Sequence, residues 1–260
     1  MIAWINPDDP RLFSAGAHPC LAPLTQSWAA LHRPGAPVEC WLAVAEEEGP
    51  ARGTVCRVGN GTVIASLPPE DWEEGAAFLR MIGFAALETN LPPSFFPELE
   101  ATEFAAMICP HLISQPPVGP EVEVLPAQEW EPHLNVGTFS TLQCRWGALP
   151  GEARDGFLST SLLRQRQGLG QSFFFLLGGE PVALSAASPL GHTWGTVGAV
   201  AVDPKHQGRG LGRLAAWHAA RFIKEQDKVP VLCCVPPLAK LYRPLGFEEI
   251  QPVYRYVAKG

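Results

Sequence analysis

Hydrophobic positions in this chain fall into short blocks that end at glycine or proline. Between them lie stretches in which apolar residues recur every three or four positions. The first pattern predicts strands and the second helices. In the second half, strands are predicted over 121–125, 172–177, 181–187, 192–202, 229–235 and 247–257, with a hairpin turn at Gly178-Gly179-Glu180. Helices are predicted from 128 to about 139, from 151 to about 167, over 211–224 and over 238–245, with a polar and aromatic loop at 140–146. Leu211, Leu214, Ala215, Ala219 and Phe222 set the apolar face of the long helix. The first half carries a fainter copy of this plan: strands over 40–45, 53–58, 62–67 and 85–88, a turn at Asn60-Gly61, a helix over 70–82 and a short helix over 94–99. The proline-rich run Ser114-Gln-Pro-Pro-Val-Gly-Pro120 reads as a linker, because proline restricts the backbone and removes donors. This order of elements implies an α/β or α+β sheet with helices on its faces, divided into halves at 1–118 and 119–260.

Composition narrows the partners. The 260 residues are 47% hydrophobic and 17% charged, enough for a packed core. A net charge of −7 argues against nucleic acid and would attract a cationic substrate. No apolar run reaches the length of a membrane span and no basic-then-apolar leader opens the chain, so a cytoplasmic protein without membrane partners is expected. The cysteines at 20, 40, 56, 109, 144, 233 and 234 form no CxxC pair. They read as small apolar residues in a reducing compartment, with neither a disulfide framework nor a metal site.

The candidate chemistry is concentrated between Val197 and Arg213. An apolar strand runs into Asp203-Pro204, then a loop with glycine at 208, 210 and 212, then a helix. Glycines leave backbone N–H groups uncovered where a helix begins, and the positive end of the helix dipole seats phosphate oxygens. Arg209 and Arg213 add positive charge. The loop lacks the Gly-Lys-Ser/Thr of a Walker A sequence, and its GxGxG spacing late in the chain does not suit a dinucleotide fingerprint.

Gln207-Gly-Arg-Gly-Leu-Gly212, following Val200-Ala-Val-Asp-Pro204, resembles the acetyl-CoA pyrophosphate loop of the GNAT N-acetyltransferases, whose pattern is Gln/Arg-x-x-Gly-x-Gly/Ala. Downstream, Leu241-Tyr-Arg-Pro-Leu-Gly-Phe-Glu248 is similar to that family's Leu-Tyr-x-x-x-Gly-Phe. The resemblance covers roughly 121 to 257. It implies a GNAT-like, mixed and mostly antiparallel sheet flanked by helices. It also implies direct transfer of an acetyl group from acetyl-CoA to an amine. On this reading Val200, Ala201 and Val202 align the donor and stabilise the oxyanion. Gln207, Gly208, Arg209, Gly210, Leu211, Gly212 and Arg213 hold the pyrophosphate, and Tyr242 holds or protonates the departing thiolate.

Other roles stay open. Many family members carry a glutamate on or near the central strand, but 192–202 has no acidic residue. Alternation puts His192, Trp194, Thr196 and Gly198 on one face. His192 is then a candidate base, or an exposed turn residue after Gly191, and a water chain is a third route. Asp203 reads as a turn former and His218 as a packed histidine. Family members often have an asparagine several residues before the tyrosine; here that region is Cys233-Cys-Val-Pro-Pro237. Neither Cys233 nor Cys234 has the His and Asp partners of a nucleophile. The resemblance places the acceptor beside the loop between the first two helices, which makes Phe139, Gln143, Arg145 and Trp146 candidate substrate contacts.

The first half lacks a glycine cradle. Its helix opens with Pro68-Pro-Glu-Asp-Trp-Glu-Glu74, whose carboxylates would repel a pyrophosphate. Residues 1–118 are therefore a degenerate GNAT-like half, or an unrelated α+β module, and the chain reads as a tandem with one donor site. The leading reading is an acetyl-CoA-dependent N-acetyltransferase acting on a primary amine of a small molecule. The alternatives are acetylation of a protein amine and a non-catalytic acyl-CoA-binding or regulatory module. Monomer and homodimer both remain open.

Overall fold

Strands form closely where the apolar blocks place them in the middle of each half, and depart from them at the ends. The structure, a computed structural model, describes residues 1–14, 18–33, 38–46, 48–59, 61–116 and 122–259. Asn60 of the expected turn, residues 117–120 of the expected linker and Glu121 of the expected strand lie outside them. The chain divides into two units, Met1–Met107 with Cys233–Pro237 and Glu249–Gly260, and Ile108–Leu232 with Leu238–Glu248. A single cut at residue 118 does not describe this division, because the last strand of the chain pairs within the first unit.

The first unit contains β1 (Ile2–Ile5), α1 (Arg11–Ser14), α2 (Ala22–Ala30), β2 (Val38–Val44), β3 (Ala51–Val58), β4 (Thr62–Ser66), α3 (Trp72–Ile82), β5 (Ala86–Thr89) and β6 (Leu99–Ile108). Its sheet order is β1-β2-β3-β4-β5-β13-β6, where β13 is Val253–Ala258 and follows the two-residue strand β12 (Glu248–Glu249). All neighbours are antiparallel except β4 and β5, which are parallel. Tyr254 lies opposite Thr89 on one side and Glu103 on the other, so β13 joins β5 to β6. Tyr256 is fully buried and donates to the Leu91 carbonyl at 2.7 Å. One face packs Trp41, Val55, Leu79, Leu87 and Phe96 against α3, and the other packs Leu12, Cys40, Leu42 and Cys56 beneath α1 and α2. The N-terminal elements and β6 were not foreseen. The short helix expected over 94–99 is one 3₁₀ turn, Pro93–Phe95.

In the second unit come β7 (Glu123–Pro126), α4 (Val136–Arg145), α5 (Arg154–Arg166), β8 (Gln171–Leu177), β9 (Glu180–Leu190), β10 (Trp194–Val202), α6 (Leu211–Glu225), β11 (Val229–Cys234) as far as Leu232, and α7 (Ala239–Tyr242). The order β11-β10-β9-β8-β7 is antiparallel apart from the parallel pair of β10 and β11. One face packs Phe139, Phe174, Leu184 and Ala201 under α4 and α5. On the other, Ile223 of α6 lies where a Cβ on Gly195 would stand. The helix expected from 128 to 139 begins instead at Val136, where the Asn135 side chain accepts from the Thr138 N–H at 2.9 Å. The loop expected at 140–146 is therefore mostly helix. Ser140 and Thr141, like Gly137 and Thr138 just before them, have low intrinsic helix propensity, which the cap and core contacts override.

One buried and one half-buried histidine, His18 and His218, give the fold a defined response to acid. Burial pushes His18 below its ordinary value, while a hydrogen bond from Nε2 to the Gln251 carbonyl opposes the shift. Burial and then the Arg221 charge push His218 down, with Glu225 opposing. An unfolded histidine takes up its proton as pH falls through about 6.5, whereas these folded ones resist, so stability present above that pH is lost on acidification. Thermal midpoints measured from pH 7 to pH 5 are expected to fall steadily. A flat profile would show that neither ring stays neutral in the native state.

Among the described residues, no helix is long and apolar enough to cross a membrane.

Candidate functional site

The site grows out of a break in strand pairing within the second unit. The parallel register of β10 with β11 runs only from Trp194–Val229 to Thr196–Val231. Further along β10, Val200 and Val202 line a cavity of about 470 Å³ with Leu238, Leu241 and Tyr242. Its other wall is the turn into α6: His206, Gln207, Gly208, Gly210, Leu211, Gly212 and Arg213.

That turn is locally determined. The Asp203 side chain accepts from the Lys205 N–H at 2.9 Å and the Asp203 carbonyl accepts from His206 N–H at 2.8 Å, so Asp203 is a turn former. Gly208 and Gly210 then take φ values of +77° and +80°, which a β-carbon strongly disfavours. Gly212 differs: a Cβ there would stand 3.6 Å from Val202 Cγ2 and 3.9 Å from Leu241 Cδ2, which is ordinary contact. The first turn of α6 holds no acidic residue, and its leading N–H groups have no intrahelical acceptor. Beside it, His206 Nδ1 is buried without a hydrogen-bond partner.

Tyr242 stands at the apolar end. It is 7% exposed, and its ring meets Phe247 edge-on at 6.0 Å. Gly246 follows at φ +96°, where a Cβ would come within 2.1 Å of the His111 carbonyl oxygen. The Gly-Phe end of the second motif therefore has a packing cause: glycine admits a neighbouring backbone and phenylalanine braces the tyrosine.

The structure gathers most of the expected donor-site residues and leaves others out. Val200, Val202, Gln207, Gly208, Gly210, Leu211, Gly212, Arg213 and Tyr242 line the cavity. Ala201 points into the core at 5% exposure, and Arg209 is exposed and not a lining residue. His192 stands before β10 begins, eight residues ahead of Val200, roughly 25 Å away along an extended strand. It is not among the residues that line the cavity. Phe139 and Gln143 are core residues of α4, Arg145 is exposed at its end, Trp146 packs on the core, and none of the four lines the cavity. The resemblance implies substrate contacts from a loop between two helices, but residues 136–145 are helix and turn Phe139 and Gln143 inward. Cys233 is solvent-exposed but does not line the cavity, and the neighbouring Cys20 thiol holds its pKa above the usual value, so it is no ready nucleophile. His206, Leu238 and Leu241 line the cavity without having been singled out as contacts. The leucine of the Leu-Tyr pair was the available signal for Leu241.

In the first unit the helix after β4 has the opposite character. Glu70, Asp71, Glu73 and Glu74 crowd its start, and Asp71 pairs with Arg52 at 2.7 Å.

Residues 140–247 match the model of the Acetyltransferase (GNAT) family. No curated protein is a detectable relative of the chain in sequence. Solved structures similar in fold include a Drosophila protein, with TM-score 0.69, 13% identity and 98% of each chain covered. A tandem GNAT protein from the clavulanic acid biosynthesis pathway has TM-score 0.59 and 11% identity, covering 98% of this chain and 97% of its own. A GCN5-related N-acetyltransferase from Kribbella flavida has TM-score 0.59 and 15% identity, covering 92% and 94%. Residues 140–247 are thus a domain of the GNAT family, carried in a chain whose fold throughout is that of tandem GNAT proteins.

Proposed function

We propose that the protein is an N-acetyltransferase that takes its acetyl group from acetyl-CoA and delivers it to a primary amine of a small molecule. The observation that carries this reading is the continuity of one cavity from the glycine cradle to Tyr242. The cavity's two ends differ as the donor's do. The α6 N-terminus, Arg213 and the orphaned His206 Nδ1 suit pyrophosphate oxygens, and Val200, Val202, Leu238 and Leu241 suit an apolar arm. Acetyl-CoA supplies the activated acyl thioester when bound. Tyr242 Oη holds the proton that a departing thiolate takes up, and backbone N–H groups of β10 beyond Thr196, where its pairing with β11 ends, stabilise negative charge on a carbonyl oxygen. The acidic first-unit helix supports a single donor site per chain.

A net charge of −7 favours a cationic amine as acceptor, and seven free thiols suit a reducing, cytoplasmic setting without nucleic-acid or membrane partners. A second reading, an acyl-CoA-binding module without turnover, draws on the lack of any carboxylate among the lining residues. Calorimetry with acetyl-CoA and a turnover screen over small primary amines and lysine peptides separate the two. Failure to bind acetyl-CoA overturns the proposal, and binding with no amine acetylated favours the second reading.

A further inference from the structure

We infer that Gln143 is a positioning residue whose buried amide sets the bulge of β10 and thereby aims Val200 and Val202 into the donor cavity. This rests on the donor site proposed above. Between the pairs Gly198–Ala186 and Ala201–Leu184, β10 advances one residue more than β9, so Ala199 and Val200 stand together opposite Ser185. A one-residue offset exchanges the faces of every following residue. The exchange is visible in the contacts. Gly195, an odd position, faces Ile223 of α6, whereas after the bulge it is even-numbered Val202 that faces the first turn of α6 at Gly212. Ala201 turns instead into the core beneath α4 and α5. Strict alternation would have placed Val200 and Val202 on the face of Trp194 and Thr196, away from the glycine cradle.

The bulge needs a brace because Ala199 takes φ +54°, a conformation its β-carbon disfavours. Gln143 supplies one. Its side chain is 2% exposed, and Nε2 donates to the Ala199 carbonyl at 2.7 Å. Losing this bond leaves a carbonyl short of a partner next to a strained backbone. The substrate contact expected of Gln143 is thus replaced by an internal one that shapes the donor cavity.

The test compares Gln143→Leu, the shorter amide Gln143→Asn, and Gln143→Leu combined with Ala199→Gly, all in the full chain. In ligand-free protein, backbone amides from Ala199 to Val202 are expected to exchange roughly tenfold faster in both single variants, with α6 unchanged. Calorimetric affinity for acetyl-CoA should weaken by a similar factor, and glycine at 199, which accepts positive φ freely, should restore much of both. A merely structural role in core packing would not be rescued by that glycine. If Gln143→Leu does not fold, Gln143→Asn decides. Unchanged exchange at 199–202, or losses that Ala199→Gly leaves untouched, would overturn the inference. Wild-type protein that does not bind acetyl-CoA overturns the proposed function instead, and the exchange measurements still judge Gln143.

Discussion

Gly210→Glu is expected to weaken acetyl-CoA binding by at least about 100-fold while leaving the protein folded. Gly210 is the residue from which α6 starts, at φ +80°, and it lines the cavity. A side chain there costs about 1–2 kcal/mol of backbone strain. A carboxylate at a helix N-terminus is itself favourable and offsets part of that cost. The fold therefore tolerates it, but the anion occupies the place proposed for a phosphate. Juxtaposing like charges costs several kcal/mol, and about 3 kcal/mol corresponds to the stated loss. Two companions separate the causes. Gly210→Ala carries only the strain and should lose far less affinity. Gly212→Ala meets only ordinary contacts at 3.6 Å and 3.9 Å and should bind nearly as wild type does. Calorimetry checks the series, with thermal midpoints as the control for folding. Unchanged affinity in Gly210→Glu would remove the cradle from the donor site.

Tyr242→Phe is expected to lower kcat by roughly 100-fold or more, with affinity for acetyl-CoA close to wild type, because positioned proton transfer contributes on that scale. The substitution is conservative in shape. The ring is buried against Phe247 and lines the cavity through a wall that also includes Leu238 and Leu241, so packing survives the loss of the hydroxyl. Steady-state kinetics on whichever amine the screen identifies, with binding measured in parallel, distinguish the two roles of the residue. Turnover equal to wild type would assign the phenol to packing alone.

Much of the candidate site was legible because its parts are local. Asp203-Pro204 makes a turn through its own hydrogen bonds, glycines at 208 and 210 accept positive φ, and a helix start exposes donors wherever it occurs. The second motif was readable for a related reason. Gly246 can be nothing larger against the His111 carbonyl, and that constraint leaves its mark at one position. The misreadings are where local preference and long-range contact disagree. The segment Val136-Gly-Thr-Phe-Ser-Thr141 is a poor intrinsic helix former, yet Asn135 caps it and Phe139 anchors it, so the expected acceptor loop is a helix facing the core.

What the sequence by itself determined is the local plan of the candidate site: a strand, a glycine-rich turn, a helix and a following tyrosine, each specified by residues a few positions apart. Tertiary structure decided which of those residues share a cavity. The bulge at Ala199 reverses the face of the strand beyond it, and its amide partner lies 56 residues earlier. Likewise β13 joins the first unit because its partners, β5 and β6, lie more than a hundred residues before it. Hydrophobic periodicity reports which positions avoid water, whereas register and strand pairing depend on contacts between distant residues that periodicity does not encode.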